Sequence, residues 1–299
     1  MNDEDLFHIY LKKLTTSLSI LPDKPEETPI NTLKALWATA CDNPVSAIKV
    51  EEFELSELTK EAADRLDQLI AQRIDGVPLA HLTGRQSFLG LEMLAGPAAL
   101  IPRKETELLA QTAIDIVNTY ADSEINVVDV CTGAGNVALA IAKASSCAMV
   151  YASDLSVDAV QLAKKNANFL KLESRVSFYS GDLLESFESL DLLGKVHVLT
   201  CNPPYISTSK VSTMPTEISS YEPSLAFDGG VFGINLIRRL IVDAHKYLSE
   251  NAYLILEVGL GQGDVIMKLI EKSNLYIDIK PVHDTSGNVR VIIAKINKE

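Results

Sequence analysis

The segment Val198-Leu199-Thr200-Cys201-Asn202-Pro203-Pro204-Tyr205 runs an apolar stretch into a rigid polar and aromatic loop. Two successive prolines fix two φ angles and remove two donors, which leaves the carbonyls around them as acceptors. Pro203 also pushes Asn202 toward an extended conformation. The side-chain oxygen of Asn202 and the carbonyl of Pro203 then suit both hydrogens of a planar NH2 group, with the Tyr205 ring stacked on its plane. A planar amide nitrogen has a delocalised lone pair and is a poor nucleophile. Two acceptors on its hydrogens favour the pyramidal nitrogen of a transition state. Asn202, Pro203 and Tyr205 are therefore catalytic candidates, and Pro204 joins them as a substrate-binding candidate. The plainer reading is an Asn-Pro turn that only ends a strand.

A second set begins at Val127-Val128-Asp129-Val130-Cys131-Thr132-Gly133-Ala134-Gly135, an apolar strand followed by a Gly-x-Gly turn and an apolar helix start. Glycines let the backbone approach a ligand closely, and the following helix offers its N-terminal dipole. The next strand ends at Asp154, where a ribose-binding carboxylate belongs after such a turn. Asp154 also fits as a cap for the helix beginning near Val157. A third strand ends at Ser180-Gly181-Asp182, whose acid suits the exocyclic amino group of an adenine and equally suits a solvated turn. Ala138 stands where a dinucleotide fingerprint has its third glycine, and no phosphate-binding Lys-Ser/Thr pair follows, which weakens a nicotinamide dinucleotide or nucleoside triphosphate as ligand.

These loops need an α/β scaffold, and the pattern supplies one. From Ile125 onward, strand-like runs alternate with helical ones, with strands expected at 126–130, 148–153, 175–179, 197–201, 253–258, 276–281 and 289–296. Seven strands make one largely parallel sheet covered by helices. Ahead of it, Leu6, Ile9, Tyr10 and Leu14 recur at helical spacing, as do Leu33, Leu36, Trp37 and Ala40, and then Leu58, Ala62, Leu66, Leu69 and Ile70. Gly84, Gly90, Gly96 and Pro97 punctuate the stretch between. The expected organisation is a helical N-terminal domain over 1–82, a hairpin linker over 83–102 and a catalytic domain over 103–299.

Composition limits the partners. The chain of 299 residues is 47% hydrophobic, enough for a sizeable core, and carries a formal charge of -13. That acidity argues against gripping nucleic acid by phosphate neutralisation. The four cysteines, Cys41, Cys131, Cys147 and Cys201, lack CxxC spacing, and the five histidines lack metal-ligand spacing, so no metal site and no disulfide framework are expected. The acidic start Met1-Asn2-Asp3-Glu4-Asp5 is no secretory signal, and no apolar run approaches the ~20 residues of a membrane span. Cytoplasmic localisation as a monomer is expected.

The glycine turn, Asp154 and Asn202-Pro203-Pro204-Tyr205 resemble the class I, Rossmann-like, S-adenosylmethionine-dependent methyltransferases that modify planar nitrogens. Within these, the chain is similar to the release-factor glutamine methyltransferases. It shares with them Gly76-Val77-Pro78-Leu79-Ala80-His81-Leu82-Thr83-Gly84 with Phe88, Leu100-Ile101-Pro102-Arg103-Lys104-Glu105-Thr106-Glu107 and Tyr221-Glu222-Pro223-Ser224-Leu225-Ala226-Phe227-Asp228-Gly229-Gly230. The resemblance implies S-adenosylmethionine as methyl donor and S-adenosylhomocysteine as product. It implies a protein substrate, the glutamine of the Gly-Gly-Gln motif of peptide-chain release factors, methylated at N5. It places Cys131, Thr132, Gly133, Ala134, Gly135, Asp154, Asp182, Leu183 and Asn202 around the donor, and Asn202, Pro203, Pro204 and Tyr205 around the glutamine amide. The helical domain would help dock the release factor. Val77, His81, Lys104 and Asn288-Val289 depart from the family's usual residues.

Three alternatives carry different expectations. The same transfer can serve another substrate, a ribosomal-protein glutamine or an adenine or guanine amino group. A non-catalytic protein can keep the donor pocket as a relic, although such a relic has no use for the Asn202 and Tyr205 clamp. A nicotinamide-dependent oxidoreductase shares the architecture but not the missing glycine.

Overall fold

The computed structural model describes residues 3–52, 54–120, 124–206, 215–227, 229 and 234–298, and divides into two compact units. The first comprises Met1–Pro97, Ile101–Lys104 and Pro215–Glu222. Its helices follow local rules. Helix α1 (Asp3–Ser17) opens on three acids that suit the positive end of its dipole. Helix α2 (Pro29–Ala40) has proline in its first turn, and the Thr28 hydroxyl accepts from Asn31 N. Helix α3 (Lys60–Ile74) is capped the same way by Thr59. Tyr10, Leu14, Leu33, Leu36, Trp37, Leu66 and Ile70 make one core, which also takes Leu79 of the short helix α4 (Leu79–Thr83).

The glycine-punctuated stretch forms an antiparallel hairpin, β1 (Arg85–Phe88) and β2 (Leu91–Leu94), that lies inside this unit. Its two turn residues, Leu89 and Gly90, both have positive φ, 45° and 75°, the backbone of a tight hairpin turn. Glu92 on β2 accepts from the backbone and hydroxyl of Ser46, each at 2.7 Å.

The second unit comprises Ala98–Leu100, Glu105–Met214 and Pro223–Glu299. Its strands are β3 (Ile125–Val130), β4 (Ala148–Asp154), β5 (Val176–Ser180), β6 (Val196–Cys201), β7 (Leu248–Glu257), β8 (Tyr276–His283) and β9 (Val289–Ile296). They form one sheet of order β5-β4-β3-β6-β7-β9-β8. The pairs β3–β4, β4–β5, β3–β6 and β6–β7 are parallel, whereas β9 is antiparallel to both β7 and β8. The chain winds outward from β3 to β5, then returns to add β6 on the other side of β3. Connections therefore diverge at the carboxyl ends of β3 and β6, which opens a crevice there. Helices α5 (Thr106–Val117), α6 (Asn136–Ala144), α7 (Val157–Phe169), α9 (Asn235–Tyr247) and α10 (Gly263–Ser273) belong to this unit; the four-residue α8 (Thr216–Ser219) belongs to the first. No described helix is long and apolar enough to cross a membrane.

All seven expected strands lie in the sheet, with one boundary well off. Strand β7 begins at Leu248, before the apolar run, because Asn251 takes a left-handed φ of 61° and the register with β6 shifts there. The polar Ser249-Glu250-Asn251 hides that extension from the apolar pattern.

Candidate active site

The glycine turn leaves the end of β3 through backbone that side chains rarely adopt. Cys131, Gly133 and Gly135 have φ of 59°, 55° and 83°. Asp129, wholly buried one turn earlier, accepts from the Thr132 hydroxyl at 2.6 Å and the Thr200 hydroxyl at 2.7 Å. One carboxylate thus ties the turn to the neighbouring strand β6. Burial lifts Asp129 to about 6 against the pull of those two hydroxyls.

Gly133 and Gly135 do different work. A Cβ on Gly133 would meet nothing within 4 Å, so its face is open for a ligand. A Cβ on Gly135 would stand 3.1 Å from Ala163 and Phe178, so that glycine lets α6 start hard against α7 and β5. The buried Asn166 side chain fixes the turn further by donating to the Ala134 carbonyl.

Asp154, at the end of β4, receives Gly133 N on Oδ2 and Ser156 N on Oδ1, both at 2.9 Å. The helix cap itself is Ser156, whose hydroxyl accepts from Ala159 N. Burial raises the Asp154 pKa against its backbone hydrogen bonds. The carboxylate is therefore held at the rim of the open turn, and each oxygen keeps a further lone pair. Asp182 is placed differently: its Oδ2 pairs with Arg239 of α9 at 2.8 Å in a half-exposed ion pair. Leu183 beside it has φ 50°, and its carbonyl accepts from the buried Ser153 hydroxyl.

Strand β6 delivers Asn202-Pro203-Pro204-Tyr205 to the same sheet edge. Val130 pairs with Cys201, so the glycine turn and the proline loop leave adjacent strands at one level. The Cys201 thiol is fully buried, and burial together with a hydrogen bond to Cys131 holds it well above the usual thiol range. Asn202 Nδ2 donates to Thr106 Oγ1 at 3.1 Å. Pro203 is buried and Pro204 partly so.

Tyr205 is held at both ends. Its hydroxyl donates to Glu257 Oε1 at 3.2 Å and accepts from Arg290 Nη2 at 3.4 Å. Its carbonyl accepts from Gln262 Nε2 at 3.0 Å, and Gln262 Oε1 in turn takes Gly259 N. Burial and the neighbouring Glu257 raise the phenol pKa. Ile206 continues the backbone by bonding to Phe227 and Gly229. Of the expected Asp228-Gly229-Gly230 turn, Asp228 and Gly230 lie outside the described residues.

Sequence reasoning missed Asp129, Thr106, Gln262, Glu257 and Arg290. Asp129 and Glu257 carried a signal, each being a lone carboxylate in an apolar strand, Val127-Val128-Asp129-Val130 and Leu254-Ile255-Leu256-Glu257-Val258. Thr106 carried none. Of the charges in the shared segment from Ile101 to Glu107, Arg103 pairs with Glu222 within the first unit, and Glu105 stands 3.9 Å from Arg290 within the second.

A sheet that returns beside its first strand, with an open glycine turn and a strand-end acid on one side of the switch and an Asn-Pro-Pro-Tyr loop on the other, defines a class I, Rossmann-like methyltransferase. The chain is 34% identical over 263 residues to the release factor glutamine methyltransferase of Moorella thermoacetica, covering 88% of this chain and 89% of that one. It belongs to the release factor glutamine methyltransferase family. The homologue of the same name in Thermodesulfovibrio yellowstonii is 32% identical over 256 residues, 84% of this chain and 89% of the other. A family model described as the methyltransferase small domain matches residues 105–219, a span that includes the glycine turn, Asp154 and Asn202 to Tyr205. Among solved structures, a release factor-specific protein-(glutamine-N5) methyltransferase from Alicyclobacillus acidocaldarius is 27% identical, covering 68% of this chain and 98% of that one with a TM-score of 0.42.

Proposed function

We propose that the chain methylates N5 of the glutamine in the Gly-Gly-Gln motif of peptide-chain release factors, with S-adenosylmethionine as donor. The observation that carries the chemistry is the state of Asn202: its amide nitrogen is taken by Thr106, which leaves its oxygen as the acceptor for a substrate NH2. Family membership supplies the substrate. When bound, S-adenosylmethionine supplies a methyl group on a sulfonium and leaves as S-adenosylhomocysteine. The residues present suit it: Cys131 to Gly135 form an open cradle, Asp154 keeps lone pairs for the ribose hydroxyls, and Asp182 with Leu183 borders the base.

Asn202 Oδ1 and the Pro203 carbonyl accept the two hydrogens of the glutamine amide and draw its lone pair out of conjugation. Pro204 and Tyr205 hold the planar group, and one amide proton passes to water after the new N–C bond forms. A single chain carries every one of these groups, so a monomer suffices. The helical unit is proposed to dock the release factor, in the cytoplasm where translation ends. The test is transfer of labelled methyl from S-adenosylmethionine to unmodified release factor and to its Gln→Ala variant, with the label located by mass spectrometry. Label on that glutamine alone is expected; label elsewhere, or equal label on the variant, overturns the assignment.

A further inference from the structure

We propose that Thr106 and Glu257 are positioning residues, which together hold the Asn202 carboxamide in the flip that leaves its oxygen, and not its nitrogen, for the substrate. This rests on the clamp reading above. The two ends of a carboxamide are nearly the same size, so packing alone does not choose between them. The wrong flip sets an NH2 of the enzyme against the NH2 of the substrate, donor against donor.

Thr106, the first residue of α5 and buried, accepts from Asn202 Nδ2 at 3.1 Å. A hydroxyl has one proton, and it accepts from Asn202 without conflict when that proton goes elsewhere. In this proposal Glu257 is the group toward which that proton turns. Its carboxyl is 1% exposed at the end of β7, and the Thr106 side chain interacts with it in the sense that favours the ionised form. The charged and titratable groups around Glu257 come from three other segments. Tyr205 donates to Oε1, Arg290 of β9 stands 3.7 Å from the same oxygen, and Glu105 lies 3.9 Å from Arg290. Glu257 Oε2 is buried and has no hydrogen-bond partner among the described residues, which leaves it as the open acceptor for the Thr106 proton.

An ionised Glu257 only accepts, which points the Thr106 proton toward β7 and its lone pair toward Asn202. A protonated Glu257 is itself a donor. It competes for the Thr106 oxygen and turns the hydroxyl proton toward Asn202, which selects the opposite flip. Burial pushes Glu257 up to about 7, so this change falls in the neutral range.

The experiment measures kcat, the KM for release factor and the affinity for S-adenosylmethionine in Thr106→Val, Thr106→Ser, Glu257→Gln and Asn202→Ala, across mildly acidic to mildly alkaline pH. Thr106→Val keeps the shape and loses the hydroxyl, whereas Thr106→Ser keeps the hydroxyl and loses the methyl. Thr106→Val is expected to lose about tenfold in kcat with donor affinity unchanged, and Thr106→Ser to recover it. The parent kcat is expected to fall as pH drops through about 7, with that limb absent in Glu257→Gln. Full activity in Thr106→Val, equal impairment of Val and Ser, or a surviving limb in Glu257→Gln overturns the proposal. If Asn202→Ala retains full turnover, the clamp reading itself falls; if it is inactive while Thr106→Val is normal, only the positioning role does.

Discussion

Asp154 and Asn202 sit at the ends of strands on opposite sides of β3 and are expected to fail in different ways when removed. Asp154 accepts Gly133 N and Ser156 N, so Asp154→Ala loosens the glycine turn and removes the proposed ribose contact together. Donor affinity should drop about tenfold to a hundredfold, the loss of one or two hydrogen bonds to a charged group. In the proposed clamp, Asn202 acts on the nitrogen as it becomes pyramidal. Asn202→Ala should therefore cut kcat about a hundredfold while donor affinity stays close to the parent, as for other groups aimed at a transition state. Titration calorimetry with S-adenosylmethionine and single-turnover transfer separate the two quantities. Equal losses of both in both variants would refute this division of labour.

The turn after β7 packs closely against Tyr205. Gly259 has an ordinary φ, yet a Cβ there would stand 2.8 Å from Gln262 Oε1 and 2.9 Å from Tyr205 Cδ2. Gln262 cannot swing clear without giving up its bonds to Gly259 N and the Tyr205 carbonyl. Gly259→Ala should then cost about 1–3 kcal/mol of overpacking and displace Tyr205. The expected readout is a lower kcat and a higher KM for release factor with donor affinity kept; a variant kinetically equal to the parent would show that the ring moves freely. This element also marks the limit of what the sequence reveals. The strands and the glycine turn were legible because each is a local pattern, an apolar run closed by a turn residue. The hold on Tyr205 was not, because Gln262 and Arg290 lie 57 and 85 positions away. Glycine punctuation marked a hairpin over 83–102 but not the residue that turns it: a leucine at φ 45° completes the turn, a conformation its side chain disfavours.

Across the whole molecule, the two units bury charge in different ways. The helical unit pairs it. Arg73 bonds Glu27 at 2.8 Å and Glu217 at 2.9 Å, Lys24 bonds Glu217, and Glu222 accepts from Arg103 and Ile101 N. These contacts gather 215–222 into the unit from far along the chain, which no charge pattern in the sequence signals. Arg73→Ala strands the buried Glu27 carboxylate and leaves Glu217 to Lys24 alone, and should destabilise that unit by about 3–5 kcal/mol in urea unfolding; a loss under 1 kcal/mol would mean that water reaches the site. The catalytic unit buries Asp129 with two hydroxyls for company and Glu257 with the Tyr205 hydroxyl and Arg290 at 3.7 Å, and burial still raises them to about 6 and about 7. The folded Glu257 keeps its proton after the unfolded chain, near its ordinary value of 4.5, has released it. Stability therefore falls as pH rises between those values and stays low above about 7, a loss of about 3 kcal/mol from this one group. Glu257→Gln should remove about half of the combined slope, leaving the comparable contribution of Asp129, and should be more stable than the parent above neutral pH while matching it in mild acid. Urea midpoints at the two ends of the range decide it, and a variant destabilised equally at both would sink the idea. If the gain appears together with the loss of turnover expected at Thr106 and Asn202, an ionised Glu257 is kept at the expense of stability because the orientation of the clamp depends on it.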